Sequence, residues 1–365
     1  MADLTTRLFG LDLESPFVLA SGPLSFDGEA MIRAHRAGAG AVVTKTICER
    51  AARNPMPHIA RLDHSLLNAE RWSDLPARAW IEREIPRAKD GGVTVIASLG
   101  LVPADVEHLA RPLAEAGADA LEVCSYESKD MARMVSAAVR VVEVPVAAKV
   151  SANWPDVAAV VRACIDAGAS GITAIDSVGP ALRVDVERRR PRLGSGFGWL
   201  SGSAILPISL RVVADVARST QVPIVGTGGV RTADDCVEML MAGAHAIGLC
   251  SLPMVEGLDG IGHLVDGLSA RLETLGYARL RDAIGAALPA LNRFEAQPTL
   301  APPIPRSGVL DAFSWDEARC TGCGICIRVC PYAARTEPDR VDLDACRSCG
   351  LCTSSCPTEA LMLPT

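Results

Sequence analysis

Two stretches near the carboxyl end, CTGCGICIRVCP at 320–331 and CRSCGLCTSSCP at 346–357, both follow the pattern C-x2-C-x2-C-x3-C-P. No other feature of the chain limits its possible structure as much. Three thiolates at this spacing can wrap one corner of an iron–sulfur cube, while the fourth, followed by proline, is directed at a different cube. A tail with two such motifs must fold back on itself, each motif giving three ligands to one cluster and one to the other. This assigns Cys320, Cys323, Cys326 and Cys356 to one [4Fe–4S] cluster, and Cys346, Cys349, Cys352 and Cys330 to the second. A pair of zinc ribbons would also use C-x2-C pairs, but a fourth Cys-Pro in each repeat has no place there. Eight of the 13 cysteines fall at or after position 320, a clustering that speaks for ligation rather than scattered disulfides. Such a module moves single electrons, so the rest of the chain should hold a group that accepts them.

Upstream, short apolar or β-branched runs alternate with longer amphipathic segments, the pattern of parallel strands joined by crossover helices. Eight strands are expected: PFVLAS at 16–21, AVVTK at 41–45, VTVIAS at 93–98, ALEV at 120–123, PVAAKV at 145–150, GITAI at 171–175, VPIVG at 222–226 and AIGLC at 246–250. The fold class is therefore α/β, a (β/α)8 TIM barrel followed by a small α+β two-cluster ferredoxin domain of the bacterial type. The expected boundaries are 1–280 for the barrel, 281–313 for a linker containing PTLAPPIPRSG, and 314–365 for the ferredoxin domain. The recurrent A-G-A and A-G-x-x-A turns, such as EAGADA and MAGAHA, are expected to be helix C-caps feeding the next strand.

In such a barrel the active site lies at the C-terminal ends of the strands. Those ends carry Ser21, Gly22, Lys45, Thr46, Cys124 to Glu127, Lys149, Asp176, Ser177, Gly226 to Gly229, Cys250 and Ser251. The GTGG at 226–229 and the Cys-Ser at 250–251 follow strands 7 and 8, where barrels commonly bind phosphate on backbone N–H groups. A phosphate-anchored redox cofactor able to trade single electrons on one side and a hydride on the other is most simply FMN.

Charge and composition exclude several classes. The net charge is −7 and the pI near 5.5, which argues against nucleic acid or an anionic membrane surface as a partner. Neither a signal segment nor an apolar run of about 18 residues occurs, so the chain is expected to be soluble and cytoplasmic. No G-x-G-x-x-G strand–helix unit is present, so electrons are expected from a partner, either a subunit that oxidises NAD(P)H or a ferredoxin. A homo-oligomer or hetero-oligomer is expected.

The stretches ASGPLSF at 20–26, VVTKTI at 42–47, LLNAERWSD at 66–74, PVAAKVSAN at 145–153, GITAIDSVG at 171–179, LSGSAILPISLRVV at 200–213, PIVGTGGV at 223–230 and GLCS at 248–251 resemble the class I dihydroorotate dehydrogenases. They are more similar still to the catalytic half of dihydropyrimidine dehydrogenase, which also ends in a two-cluster ferredoxin segment. The resemblance implies an FMN barrel in which Lys45 reaches the flavin, Lys149 stands near its N1/O2 edge and Asn68 lines the site. It also implies that Ala20, Ser21, Gly22, Thr46 and Ser177 surround the cofactor. Ser201, Gly202, Gly228, Gly229, Cys250 and Ser251 would serve its phosphate and ribityl side.

After strand 4 the chain departs from the pattern of that family. Where the family shows Asn-x-Ser-Cys-Pro, Cys124 takes the asparagine position, Tyr126 the serine and Glu127 the catalytic cysteine. After strand 6 an Asn-Thr pair becomes Asp176-Ser177. Replacing two amides, which both donate and accept, removes partners that a pyrimidine ring would need. The expected function is reduction or oxidation of a CH–CH bond in a small cyclic or conjugated molecule other than the usual pyrimidines. Glu127 is placed first as proton donor, ahead of Tyr126 and Cys124, because a buried carboxyl can be raised toward neutral pH. Asp176 would bind substrate N–H or O–H groups or act as a base. Two alternatives are a true dihydropyrimidine dehydrogenase subunit with an unusual acid, and a non-catalytic electron-transfer subunit whose barrel merely holds FMN. The arginine-rich segment RVDVERRRPR at 183–192 is expected to be a solvated loop or a subunit contact.

Overall fold

A computed structural model of the chain describes residues 1–291, 314–342, 344–347 and 349–362. The chain divides into two compact units, Met1–Leu291 and Asn292–Thr365. Of the expected linker, residues 281–291 form 3-10 turns at Leu280–Ala283 and Leu288–Ala290 within the first unit, and 292–313 lie outside the described residues.

The first unit is built on a closed barrel of eight parallel strands. They are β1 (Phe17–Leu19), β2 (Ala41–Val43), β3 (Val95–Gly100), β4 (Ala120–Cys124), β5 (Val146–Val150), β6 (Gly171–Ala174), β7 (Ile224–Thr227) and β8 (Ala246–Leu249). All eight coincide with the strands expected from the sequence. Helical segments follow every strand, from Gly28–Arg36 after β1 to Asp259–Thr274 after β8. Gly38, Gly117, Gly168 and Gly243 take φ values of 110°, 107°, 101° and 109° at the turns into the next strand, as the A-G turns required.

Period-2 alternation divides each strand between two environments. On β4, Leu121 and Val123 join the apolar layer shared with the helices, whereas Ala120, Glu122 and Cys124 have the opposite parity. The N-terminal part of the barrel interior is apolar, with Val18, Val43, Ile96, Ala120, Ala147 and Val225 in one cluster. An antiparallel hairpin of Thr6–Leu8 and Leu11–Leu13 adds Leu8, Phe9 and Leu13 to this cluster. Two residues further along the same strands, the parity delivers Lys45, Ser98, Glu122, Lys149, Thr173 and Thr227, all buried. The interior thus turns from apolar to polar toward the C-terminal strand ends.

Four short antiparallel strands, in the order Val178–Ala181, Gly198–Gly202, Ser65–Asn68, Ile59–Leu62, form a separate sheet. Its register sets Trp199 opposite Asn68 and Ser201 opposite Leu66. The arginine-rich segment forms a two-residue-per-strand hairpin, Val184–Asp185 against Arg190–Pro191. No described helix is long and apolar enough to cross a membrane.

In the second unit the two cysteine motifs adopt repeated local structure. The backbone N–H of Cys320 donates to Asp316 O and that of Cys346 to Asp342 O, at 3.1 and 2.9 Å. The Asp316 and Asp342 carboxylates each accept two further backbone N–H groups. Gly324 and Gly350 start the short helices Ile325–Arg328 and Leu351–Ser354, and strand Ser314–Trp315 pairs with Leu361–Met362.

Candidate active site

A cavity of about 380 Å³ opens at the C-terminal ends of the barrel strands, walled on one side by the small antiparallel sheet. Every residue that the sequence suggested for holding the cofactor lines this cavity. Tyr126 and Asp176 also line it, whereas Cys124 and Glu127 do not.

On one side, β7 ends in Thr227, and Gly228 and Gly229 follow with φ of 119° and 94°. A Cβ on Gly228 would come 2.3 Å from Ser209 Oγ, and one on Gly229 would come 2.6 Å from Leu206 N. Only glycine fits this turn. Nearby, Ser251 Oγ donates to Ser201 Oγ at 2.8 Å. Thr227 Oγ1 is buried without a hydrogen-bond partner among the described residues, an unsatisfied group that a ligand in the cavity would answer. The glycine turn, the two hydroxyls and this orphaned oxygen fit the phosphate end of a mononucleotide.

The opposite wall is charged. Lys45, only 3% exposed, donates to Glu70 Oε1 at 2.7 Å and to Asp74 Oδ2 at 2.9 Å. Lys149 Nζ lies 3.7 Å from Asp176 Oδ1. Burial disfavours the Lys149 ammonium, but the Asp176 and Glu122 carboxylates outweigh it and hold its pKa above the ordinary lysine range. Glu122, on β4, accepts from Thr173 Oγ1 at 2.8 Å, and its Oε1 is buried without a partner among the described residues. Burial pushes its carboxyl up, against the opposing pull of Lys149. Sequence reasoning passed over Glu122, Glu70 and Asp74. A charged residue inside the apolar run ALEVC was the signal for Glu122.

The loop after β4 places the three candidate acids in different surroundings. Glu127 is exposed, precedes a 3-10 turn at Ser128–Asp130 and is not among the residues that line the cavity. Its backbone N–H donates to Ser125 Oγ at 3.0 Å. Cys124 is buried beneath the cavity, 3.6 Å from Thr46 Oγ1 and 3.8 Å from Ser98 Oγ, and burial pushes its thiol up to about 11. Tyr126 does face the cavity. Its ring stacks on Trp199 at 6.1 Å and 26°, and its carbonyl accepts from Trp154 Nε1 at 3.2 Å. Although 58% of the residue is exposed, partial withdrawal from water, with Cys124 and Asp176 close by, pushes the phenol up to about 12.

In the second unit, Cys320, Cys323, Cys326 and Cys356 line one small pocket, so the fourth cysteine of the second motif stands with the first three of the first. Backbone N–H groups after Cys330, including that of Ala334 on its Sγ at 3.3 Å, outweigh burial and lower its thiol pKa. Those of Thr358, Ala360 and Leu361 lower that of Cys356. Both effects favour the thiolate that metal ligation needs. Among the described residues no three His, Cys, Asp or Glu side chains are grouped to hold a single metal ion.

Comparison with known proteins agrees with this division. A family model described as dihydroorotate dehydrogenase matches residues 116–272, and one described as 4Fe-4S binding domain matches 313–336 and 340–362. The chain is 34% identical to the dihydroorotate dehydrogenase B (NAD(+)) catalytic subunit of Pyrococcus abyssi over 301 residues, 78% of this chain and 99% of that protein. It is 32% identical to the like-named subunit of Methanothermobacter thermautotrophicus over 302 residues, 78% of this chain and 98% of the relative. It is 31% identical to the dihydroorotate dehydrogenase A (fumarate) of Lactobacillus delbrueckii subsp. bulgaricus over 310 residues, with the same two shares. With barrel, cavity and cysteine motifs in agreement, the chain belongs to the dihydroorotate dehydrogenase family, oxidoreductases acting on CH–CH bonds, and carries a 4Fe-4S binding domain at its carboxyl end.

Proposed function

We propose that the chain is an FMN- and iron–sulfur-dependent oxidoreductase that transfers hydride to or from a CH–CH or C=C bond of a small cyclic or conjugated molecule. The observation that carries this is one cavity with a glycine turn and an orphaned hydroxyl at one side and two buried lysines at the other. FMN, when bound, would supply hydride chemistry at one carbon and single-electron exchange with the clusters. Gly228, Gly229, Ser201 and Ser251 would hold its phosphate and ribityl groups, and Lys149 would place a fixed positive charge beside its ring. Two [4Fe–4S] clusters on the cysteine sets named above would carry electrons to or from a partner, either a subunit that oxidises NAD(P)H or a ferredoxin.

The proton on the substrate's other carbon is assigned to Tyr126. Its phenol is in the cavity and stays protonated at neutral pH, and its backbone is pinned by Trp154. Asp176 is placed to accept N–H or O–H groups of the substrate.

The test is anaerobic purification, flavin extraction and iron analysis, followed by reduction and addition of candidate enes. FMN, about eight iron atoms per chain and flavin reoxidation by at least one ene are expected. A colourless protein, or one containing zinc in place of iron, defeats the proposal. A protein that holds both cofactors yet returns electrons to no ene would be an electron-transfer subunit.

A further inference from the structure

We propose that the cavity selects an uncharged or cationic ring and rejects one that carries a carboxylate, with Glu70 and Asp74 as the residues that set the choice. This deepens the proposed function and rests on the same cavity being the substrate site.

Each lysine that faces the cavity is already answered by acidic partners. Lys45 is held by Glu70 at 2.7 Å and Asp74 at 2.9 Å, so the trio carries a net negative charge. Lys149 lies 3.7 Å from Asp176 and feels Glu122 as well. An arriving carboxylate would have to compete with these carboxylates for the same lysines; displacing Glu70, whose side chain is only 11% exposed, would leave a buried charge without its cation, and the half-exposed Asp74 and Asp176 add like-charge repulsion.

The segment that supplies Glu70 and Asp74 is also held in place. Ser73 N–H donates to Thr46 O at 2.8 Å and Ala52 N–H to Ser73 O at 2.8 Å. Trp80 Nε1 donates to Ser73 Oγ at 2.8 Å, Asn54 Nδ2 to Asp74 Oδ1 at 2.8 Å, and Glu70 N–H to Asn68 Oδ1 at 3.2 Å. The backbone that carries Glu70 and Asp74 is therefore held beside Lys45 before any substrate arrives, and Asn54 holds the Asp74 carboxylate itself.

Arg71 lines the same cavity and makes no ion pair among the described residues. It is exposed, so an ion pair there would be weakened by water and salt. What the cavity offers instead is the stacked Tyr126–Trp199 pair for a flat ring and carboxylate oxygens, on Asp176 above all, for ring N–H or O–H donors.

The experiment offers the holoenzyme flat rings in pairs, as carboxylate and as primary amide: orotate with orotamide, nicotinate with nicotinamide, benzoate with benzamide. Dissociation constants come from flavin difference spectra and from calorimetry. The amide is expected to bind at least about tenfold tighter in each pair that binds. Glu70→Gln and Asp74→Asn, made separately so that one misfolded variant does not decide the matter, are each expected to strengthen carboxylate binding about threefold or more, with little change for the amide. Arg71→Gln should leave the preference unaltered.

Equal or inverted preference in the unmodified enzyme, acidic-site variants that leave the ratio unchanged, a preference that depends on Arg71, or no binding of any ring would each overturn the proposal. Calorimetry reads the ratio with or without flavin. A chain that prefers amides but contains no FMN would sink the flavin assignment and leave the charge selection standing. A flavin-loaded chain that prefers carboxylates would do the reverse.

Discussion

Buried beside the Asp176 and Glu122 carboxylates, Lys149 brings a permanent positive charge to the floor of the cavity. A cation next to a flavin ring favours its reduced, negatively charged form. Replacing Lys149 by Met should therefore make the flavin midpoint potential more negative by about 30 mV or more, the two-electron equivalent of a tenfold change in equilibrium, as read by equilibrium dye titration. Tyr126→Phe should slow the half-reaction with substrate about tenfold or more while leaving FMN and iron contents intact, and Glu127→Gln should leave the rate within about twofold. Because the phenol is pushed up to about 12, its ionisation should cause no loss of rate below about pH 11; a decline near pH 8 that vanishes in Tyr126→Phe would assign that titration to Tyr126 and overturn the raised pKa, and a Tyr126→Phe rate equal to that of the unmodified protein would remove Tyr126 from the role. Which of the three loop residues faces the cavity was not legible in the sequence. Matching positions along the chain says nothing about direction, and after Cys124 the strand ends and the alternation that orients side chains ends with it.

Alternation is what made the strands themselves legible. Along β2, β5 and β7 a small or β-branched residue in the apolar floor is followed, one step of the same parity later, by a polar group: Val43 then Lys45, Ala147 then Lys149, Val225 then Thr227. The lid strands Ile59–Leu62 and Ser65–Asn68 escaped notice because four residues of mixed polarity show no clear period. Two tests belong to this scale. Gly229→Ala puts a Cβ into the Leu206 backbone at a φ of 94°, so it should cost about 1 kcal/mol or more in stability and leave the purified protein poor in flavin. On β4, burial raises the folded-state pKa of Glu122. As pH rises past about 4.3 the unfolded chain releases this proton while the folded chain still retains it, so stability falls from there until the folded pKa is passed. Glu122→Gln removes that dependence. The melting-temperature difference between the variant and the unmodified protein should therefore shift in favour of the variant as pH rises above about 4.3, while the loss of a compensating carboxylate beside Lys149 adds a constant cost.

For the molecule as a whole, the relatives are matched over 98–99% of their own length but only 78% of this chain. The match to the dihydroorotate dehydrogenase model, 116–272, and the matches to the 4Fe-4S binding domain, 313–336 and 340–362, fall on separate parts of the chain. The two cysteine motifs were the most legible part of the sequence because ligand spacing states coordination directly, whereas no such rule governs the intervening 292–313. The pocket shared by Cys320, Cys323, Cys326 and Cys356 makes the interleaving of the motifs testable by iron content. If ligation crosses between motifs, Cys320→Ala and Cys356→Ala damage the same cluster, and the double variant should keep about four iron atoms per chain. Cys346→Ala with Cys356→Ala damages both clusters and should leave almost none. Were each motif to hold its own cluster, the pattern would reverse, because Cys346 and Cys356 would then share one. FMN content should be unchanged in either double variant, since every residue lining the cavity belongs to the first unit, and turnover driven by a small dye reductant that reaches the flavin directly should persist where turnover driven through the clusters is lost.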